Sequence, residues 1–247
     1  MGRRLGFWPR FAVATSTPVL HLMTRRDWSG AEHIPAGDGV IIVPNHISHC
    51  DPLVVAHFVY AAGRWPQFLG KVSVFEVPLL GRLMYAVHQI PVRRGTADAV
   101  RALEAAVVAV RGGAALIIYP EGTITREPEL WPMRGKTGVA RLWLSTGAPV
   151  IPVVMWGPER FFDVRTQKLR LHPRTPVTVA AGPPVDLSRW TGAEPTADAL
   201  AAITDEVMLR VRDMLAAVRR RTPPPLYDPT PDGAEGSAPV PESEEQG

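Results

Sequence analysis

Cysteine is all but absent: Cys50 is the only one in 247 residues. No intrachain disulfide can form, and a metal site built on several thiolates is excluded. A reducing compartment is the natural setting for such a chain. Lysine is nearly as scarce, limited to Lys71, Lys136 and Lys168. The positive charge is therefore carried by arginine, whose planar fork suits phosphate. Long apolar runs are missing too. No stretch reaches the roughly 18–20 uninterrupted apolar residues of a membrane span, and a mean hydropathy of +0.01 excludes a bundle of spans. Basic residues vanish after Arg221. From Thr222 to Gly247 there are six acidic residues, seven prolines and no lysine or arginine. Such a composition cannot bury enough surface to fold, so 222–247 is expected to be a disordered acidic tail.

What remains is long enough for one α/β domain, with an ordinary hydrophobic fraction of 46%. Residues 1–221 carry 27 basic against 18 acidic side chains, which suggests an anionic partner, either nucleic acid or anionic lipid. The first 28 residues favour lipid. A run from Phe11 to Thr24 is closed by Arg10 on one side and Arg25-Arg26 on the other, with Arg3, Arg4, Phe7 and Trp8 ahead. It is too short to span and is broken by Pro18 and His21. It reads as an arm, residues 1–28, lying in the headgroup region of a membrane. A secretory leader would share the basic start and apolar run, but no convincing small-x-small cleavage site precedes Asp27.

From about Gly39, short β-rich apolar runs alternate with helical periods, the pattern of an α/β sandwich. Strands are expected at Val40–Pro44, Gln67–Val72, Gln89–Val92, Ala114–Tyr119, Pro149–Met155, Lys168–Leu171 and Val177–Ala181. Helices are expected at Pro52–Ala62, Val77–Ala86, Ala97–Arg111, Thr137–Ser145 and Asp198–Arg220. Within Ala97–Arg111, Val100, Leu103, Val107 and Val110 share one face, with Thr96 as a cap and Gly112-Gly113 as the stop. Leu200, Ile203, Val207, Val211 and Leu215 repeat that pattern in the last helix. These elements would make up one domain spanning 29–221.

Four segments carry chemistry. Pro44-Asn45-His46-Ile47-Ser48-His49-Cys50-Asp51-Pro52 leaves an apolar strand and enters a helix. Asp51-Pro52 alone reads as an N-cap followed by a first-turn proline. His46 and Asp51 also stand at the two ends of a short turn, where a carboxylate fixes an imidazole's tautomer and supports its charged form. That pairing activates a hydroxyl. Metal binding by His46, His49 and Asp51 lacks a spaced partner set. Cys50 or Ser48 as a covalent nucleophile lacks a nucleophile-elbow setting. Tyr119-Pro120-Glu121-Gly122-Thr123 follows a strand, the position where open α/β sheets bind ligands. Gly122 permits close backbone approach and Thr123 offers donors to an oxyanion. Gln89-Ile90-Pro91-Val92-Arg93-Arg94 and Val150-Ile151-Pro152-Val153 are apolar strands, the first ending in an arginine pair able to clamp phosphate.

In this order and spacing the segments resemble the glycerolipid acyltransferase family, whose best-known members are the bacterial 1-acyl-sn-glycerol-3-phosphate acyltransferases. The pattern Asn-His-x-Ser-x-x-Asp stands at Asn45 to Asp51. Phe75-x-x-Pro78-x-x-Gly81 leads to Ile90-Pro91-Val92-x-Arg94, and Pro-Glu-Gly-Thr is Pro120 to Thr123. Lys136-Thr137-Gly138 and Val150–Val153 complete the set, which covers about Asn45 to Val153. Ile124 stands where the family often has arginine, and the insertion from Arg126 to Pro132 is rich in proline, so the expected phosphate side departs from the pattern.

The resemblance implies a glycerol-3-phosphate acyltransferase-like α/β fold, a mixed sheet flanked by helices, docked by its N-terminal arm. It implies His46 as base and Asp51 as its partner. Asn45, Ser48, Arg94, Glu121, Gly122, Thr123 and Lys136 are implied to bind substrate, with Glu121 equally able to serve as a buried partner to one of the cations. The donor would be acyl-CoA or acyl-carrier protein, and the acceptor a lysophosphatidic-acid-like lipid acylated at its sn-2 hydroxyl. No cofactor, metal or nucleic acid is implied, and the expected place is the cytoplasmic face of the cell membrane, held peripherally. A different lyso-lipid or glycolipid acceptor is the nearest alternative, and a silent lipid-binding protein the next.

Overall fold

The computed structural model describes residues 6–92, 97–163, 168–170 and 172–228. In chain order its helices and strands are α1 (Phe7–Met23), β1 (Thr24–Ser29), β2 (Val40–Pro44), α2 (Asp51–Ala61), β3 (Pro66–Lys71), α3 (Val72–Phe75), α4 (Leu80–Ala86) and β4 (Ile90–Val92). They continue with α5 (Ala97–Arg111), β5 (Ala115–Ile117), α6 (Gly138–Thr146), β6 (Val150–Trp156), β7 (Phe162–Asp163), β8 (Lys168–Leu169), β9 (Thr175–Ala181) and α7 (Ala197–Arg219). Seven strands form one sheet in the order β1-β9-β6-β2-β5-β3-β4, and β7 pairs with β8 apart from it.

Strands β6, β2, β5, β3 and β4 run parallel, whereas β9 is antiparallel to β6 and β1 runs with β9. The sheet is therefore mixed, as expected. The carboxyl ends of the five parallel strands and the amino end of β1 meet at one edge. The loops at that edge carry His46, Glu121 and the α3–α4 region.

Strand β2 shows why its sequence is apolar without a break. Ile41 and Val43 pack with α5, α6 and α7, among Ala106, Leu142, Leu200, Ile203 and Val207. Val40 and Ile42 face the other way, toward Val54, Val55 and Phe58 of α2. A strand covered on both faces has no polar side to show. The stripe read in the last helix holds: Leu200, Ile203, Val207, Val211 and Leu215 are all buried. Its start is capped by Thr196, whose hydroxyl oxygen accepts from the Ala199 N–H at 3.2 Å.

Four expectations change. Residues 24–28, placed in the arm, belong to β1, whose ladder pairs Thr24 with Thr175 through Ser29 with Ala180. The arm is otherwise a helix, α1, with Pro18 inside it. The helix expected from Val77 starts at Leu80, and Val72 opens the four-residue α3 instead of ending β3. Finally, the tail expected from Thr222 is ordered as far as Asp228. Leu226 packs on the core, and the Tyr227 carbonyl accepts from the Arg134 N–H at 2.8 Å. Thr96, Leu171 and residues 229–247 lie outside the described residues.

Candidate active site

The site is built on the exit of β2. Asn45 is fully buried there, and its side-chain oxygen accepts from the Met155 N–H at 2.7 Å while its amide donates to the Met155 carbonyl at 3.1 Å. Both ends of that amide are spent pinning β2 to β6. Asn45 thus positions the loop and does not face a substrate.

His46 follows, held by its backbone, its ring face and Nδ1. Its peptide N–H donates to Glu121 Oε1 at 3.1 Å, and its carbonyl accepts from the Thr125 N–H at 2.8 Å. Its ring lies on that of Tyr119, centroids 4.3 Å apart and planes 32° from parallel. Nδ1 stands 3.0 Å from Asp51 Oδ2, with 16% of the His46 side chain exposed and none of Asp51's. The carboxylate fixes the proton on Nδ1, which leaves Nε2 as the basic nitrogen.

Asp51 is the hub of the turn. Oδ2 also accepts from the Ile47 N–H at 2.6 Å and the Ser48 N–H at 2.8 Å. Burial pushes its carboxyl above the usual range, and the contacts with His46, Ser48 and Ile47 pull it back. Asp51 does not cap α2 as expected. It is the first residue of the helix, behind Cys50, and its carboxylate turns back over residues 46–48. Ser48 is fully buried and its hydroxyl accepts from the Cys50 N–H at 3.2 Å, so it too serves the turn. Burial pushes the Cys50 thiol upward, the wrong direction for a nucleophilic thiolate.

Of the two roles open to Glu121, the structure shows the buried one, with backbone donors in place of a cation. It is 4% exposed, and its two oxygens accept from the N–H groups of His46 and Met133, each at 3.1 Å. Burial raises its carboxyl to about 8. It ties three segments together: the His46 loop, its own turn and the 125–133 loop. That last loop is held from behind by α7. The Arg219 guanidinium lies between the rings of Trp131 and Trp156, 3.9 and 4.3 Å from their centroids.

The lip of the site is cationic. Gly122 takes φ +71, and a Cβ there would stand 3.4 Å from the Lys136 stem, so the lysine lies across the glycine. The Lys136 N–H donates to the Pro120 carbonyl at 2.8 Å. Lys136 and Thr123 are exposed. Arg94 and its neighbour Arg93 lie outside the described residues, two and one positions beyond the end of β4. Among the described residues no group of three or more His, Cys, Asp or Glu is placed to hold a metal ion.

Sequence reasoning overlooked Tyr119 as a platform for the imidazole, and Met133 as a donor to Glu121. The first had a signal, an aromatic directly before Pro-Glu-Gly. The second is a backbone group and had none.

A histidine–carboxylate pair at the carboxyl end of a central strand is arranged for acid–base chemistry. The family model for acyltransferases matches residues 25–156, from β1 through β6, and the chain belongs to that family. It is 31% identical over 135 residues to a 1-acyl-sn-glycerol-3-phosphate acyltransferase of Borreliella burgdorferi, covering 54% of this chain and 52% of the relative. It is 31% identical over 164 residues to the corresponding protein of Limnanthes douglasii, covering 66% and 55%. The crystal structure of the 1-acyl-sn-glycerophosphate (LPA) acyltransferase PlsC from Thermotoga maritima superposes with a TM-score of 0.60 at 26% identity, covering 85% of this chain and 78% of that one. The chain spans about half the length of the curated relatives it matches.

Proposed function

We propose that the protein transfers a fatty acyl group from the thioester of acyl-CoA or acyl-carrier protein to the hydroxyl of a lysophosphatidic-acid-like lipid, giving a phosphatidic-acid-like product. The observation that carries this reading is the 3.0 Å contact between His46 Nδ1 and the buried Asp51 carboxylate. His46 Nε2 takes the proton of the acceptor hydroxyl, whose oxygen attacks the thioester carbonyl carbon. The tetrahedral intermediate collapses by breaking the C–S bond, and the imidazolium returns the proton to the departing thiolate. Asp51 orients the ring and offsets its transient charge.

The N–H groups of Ile47 and Ser48 are occupied by Asp51, and that of His46 by Glu121. These three groups are therefore unsuited to hold an oxyanion. Thr123 and the Lys136 ammonium fit that role or the neighbouring phosphate better, with Arg94 as a second cation. Names of the relatives support a phosphorylated glycerolipid as acceptor.

No described helix is long and apolar enough to cross a membrane. The basic, aromatic α1 supports peripheral attachment, at the cytoplasmic face where acyl thioesters are held. Incubating purified protein with labelled acyl-CoA or acyl-carrier protein and a panel of lyso-acceptors, with products resolved by mass, tests the reading. Labelled diacyl phosphate lipid is the expected product. Label on an uncharged lyso-acceptor in preference would move the assignment to another acceptor class.

A further inference from the structure

Apolar side chains are left exposed at the catalytic edge on two elements that attach to distant strands. On α1 they are Phe7, Trp8, Phe11, Val19 and Leu22, from 46% to 71% exposed. In the turn between α3 and α4 they are Val77, Leu79 and Leu80, exposed by 47%, 77% and 41%. Residues 76–80 are all exposed, and Leu79 sits at φ +64, a region that leucine rarely adopts. A chain that held this leucine for its own core would not turn it outward.

Topology brings the two elements together. Helix α1 enters the sheet through β1, and α3–α4 follows β3, five strand positions away. Five steps of a sheet measure about 24 Å, and a helix the length of α1 reaches about 25 Å. The two elements are in contact, so α1 spans that width. Residues 6–26 contain Arg10, Arg25 and Arg26 and no acid, whereas residues 76–92 contain one acid, Glu76, and one arginine, Arg82; α1 therefore supplies the positive charge and the turn supplies apolar surface.

We propose that the α3–α4 turn is a second membrane-seating point, which enters the same anionic lipid surface as α1. This rests on the function proposed above, because a bilayer-resident acceptor requires the edge bearing His46 to face the lipid. With α1 lying across the edge and the α3–α4 turn beside it, the apolar contact is broadened beyond a single helix, and the edge is held level against the bilayer. One amphipathic helix alone would leave the domain free to tilt about it.

The test is partition of the purified full chain onto vesicles of phosphatidylcholine with phosphatidylglycerol, read by flotation. The variant is Leu79→Asp/Leu80→Asp. Aspartate tolerates positive φ better than leucine, and at the first position of α4 it suits the helix dipole. The fold is therefore not burdened by either change. Val108→Asp is the control: Val108 is 72% exposed on the last turns of α5, at the opposite edge of the sheet. We expect partition to weaken at least about tenfold in the double variant, and to stay at the wild-type value in the control. Leu79→Gly, which removes the side chain and eases the backbone, should fall between them.

Wild-type partition by the double variant, or equal losses in the double variant and the control, would overturn the proposal. So would a change in oligomeric state by light scattering without a change in partition, which would make the turn an interface between copies. The readout needs no acyl transfer. If the wild type acylates no acceptor, the functional reading fails and the partition result still stands. If the functional reading holds, the double variant keeps transfer to a short-chain acceptor dissolved as monomer.

Discussion

The ring of Tyr119 lies under the imidazole of His46, centroids 4.3 Å apart, while its buried hydroxyl finds no hydrogen-bond partner among the described residues. The ring and the hydroxyl therefore have separate consequences. Tyr119→Phe keeps the platform and removes an unsatisfied polar atom, so it should keep activity and gain up to about 1–3 kcal/mol of stability. Tyr119→Leu removes the platform and should lower kcat about tenfold or more with little change in acceptor KM, because the ring sets the base and not the substrate. Steady-state kinetics with thermal melts of both variants distinguish the two roles.

Glu121 makes stability depend on pH. Its carboxyl is raised to about 8, mainly by burial, against 4.5 for an ordinary glutamate. Between those values the folded protein keeps a proton that the unfolded chain releases. Stability should fall as pH rises through about 4.5 to 8 and level off above. Glu121→Gln stays neutral throughout and keeps one oxygen for a backbone donor, so its stability should not show that fall. Denaturant titrations at pH 5 and pH 8 provide the comparison; equal slopes in wild type and variant would contradict it.

Much of this molecule was legible in its sequence, and what was not has a common cause. Strand β2 declares itself through Val40–Val43, and the period of Leu200 to Leu215 places α7 within one residue at each end. The His46–Asp51 pair follows from spacing, because both ends of the contact lie in one turn. Strand β1 is different: Thr-Arg-Arg-Asp-Trp-Ser has no apolar period, as suits a polar edge, and its partner β9 is far along the chain. Asn45 and Met155 are separated by 110 residues, His46 and Glu121 by 75. Those contacts join side chains to backbone N–H and carbonyl groups, which every residue has. Such partners leave no mark on composition or spacing, so in the sequence Asn45 reads as facing substrate, and Glu121 as facing substrate or a cation, when both hold the loop.

The junction of α1 with the domain carries an acid-sensitive contact. The His57 ring lies 5.3 Å from that of His21 and 5.1 Å from that of Trp28, over which Arg26 sits at 5.0 Å. Burial, then the charges of Arg26 and His21, lower His57 to about 4 from 6.5. A depressed histidine stabilises the fold above its unfolded pKa and ceases to do so as pH falls through the folded one. Wild-type stability should therefore drop between about pH 6.5 and 4, with a change in Trp28 fluorescence. His57→Gln should flatten this part of the profile.

The aromatic end of α1 should govern attachment. Phe7 and Phe11 stack, Trp8 meets both edge-on, and all three are exposed. Replacing all three with serine should release the protein from anionic vesicles without unfolding it. Deleting residues 1–28 would be a poorer test, since it also removes β1 from the sheet. High salt should weaken what binding remains, by about 1 kcal/mol for each arginine near the surface.

The central claim is that His46, oriented by Asp51, moves the proton in acyl transfer. Its most direct measure is the single-turnover rate of transfer from labelled acyl thioester to lysophosphatidic acid, for wild type, His46→Ala and Asp51→Asn. Asn retains an oxygen for the Ile47 and Ser48 N–H groups, so that variant should stay folded while its support of His46 is lost. The account predicts a fall of roughly 10²–10⁴-fold for His46→Ala, and a substantial loss for Asp51→Asn, with both proteins binding vesicles as the wild type does. Transfer by His46→Ala at close to the wild-type rate would contradict it.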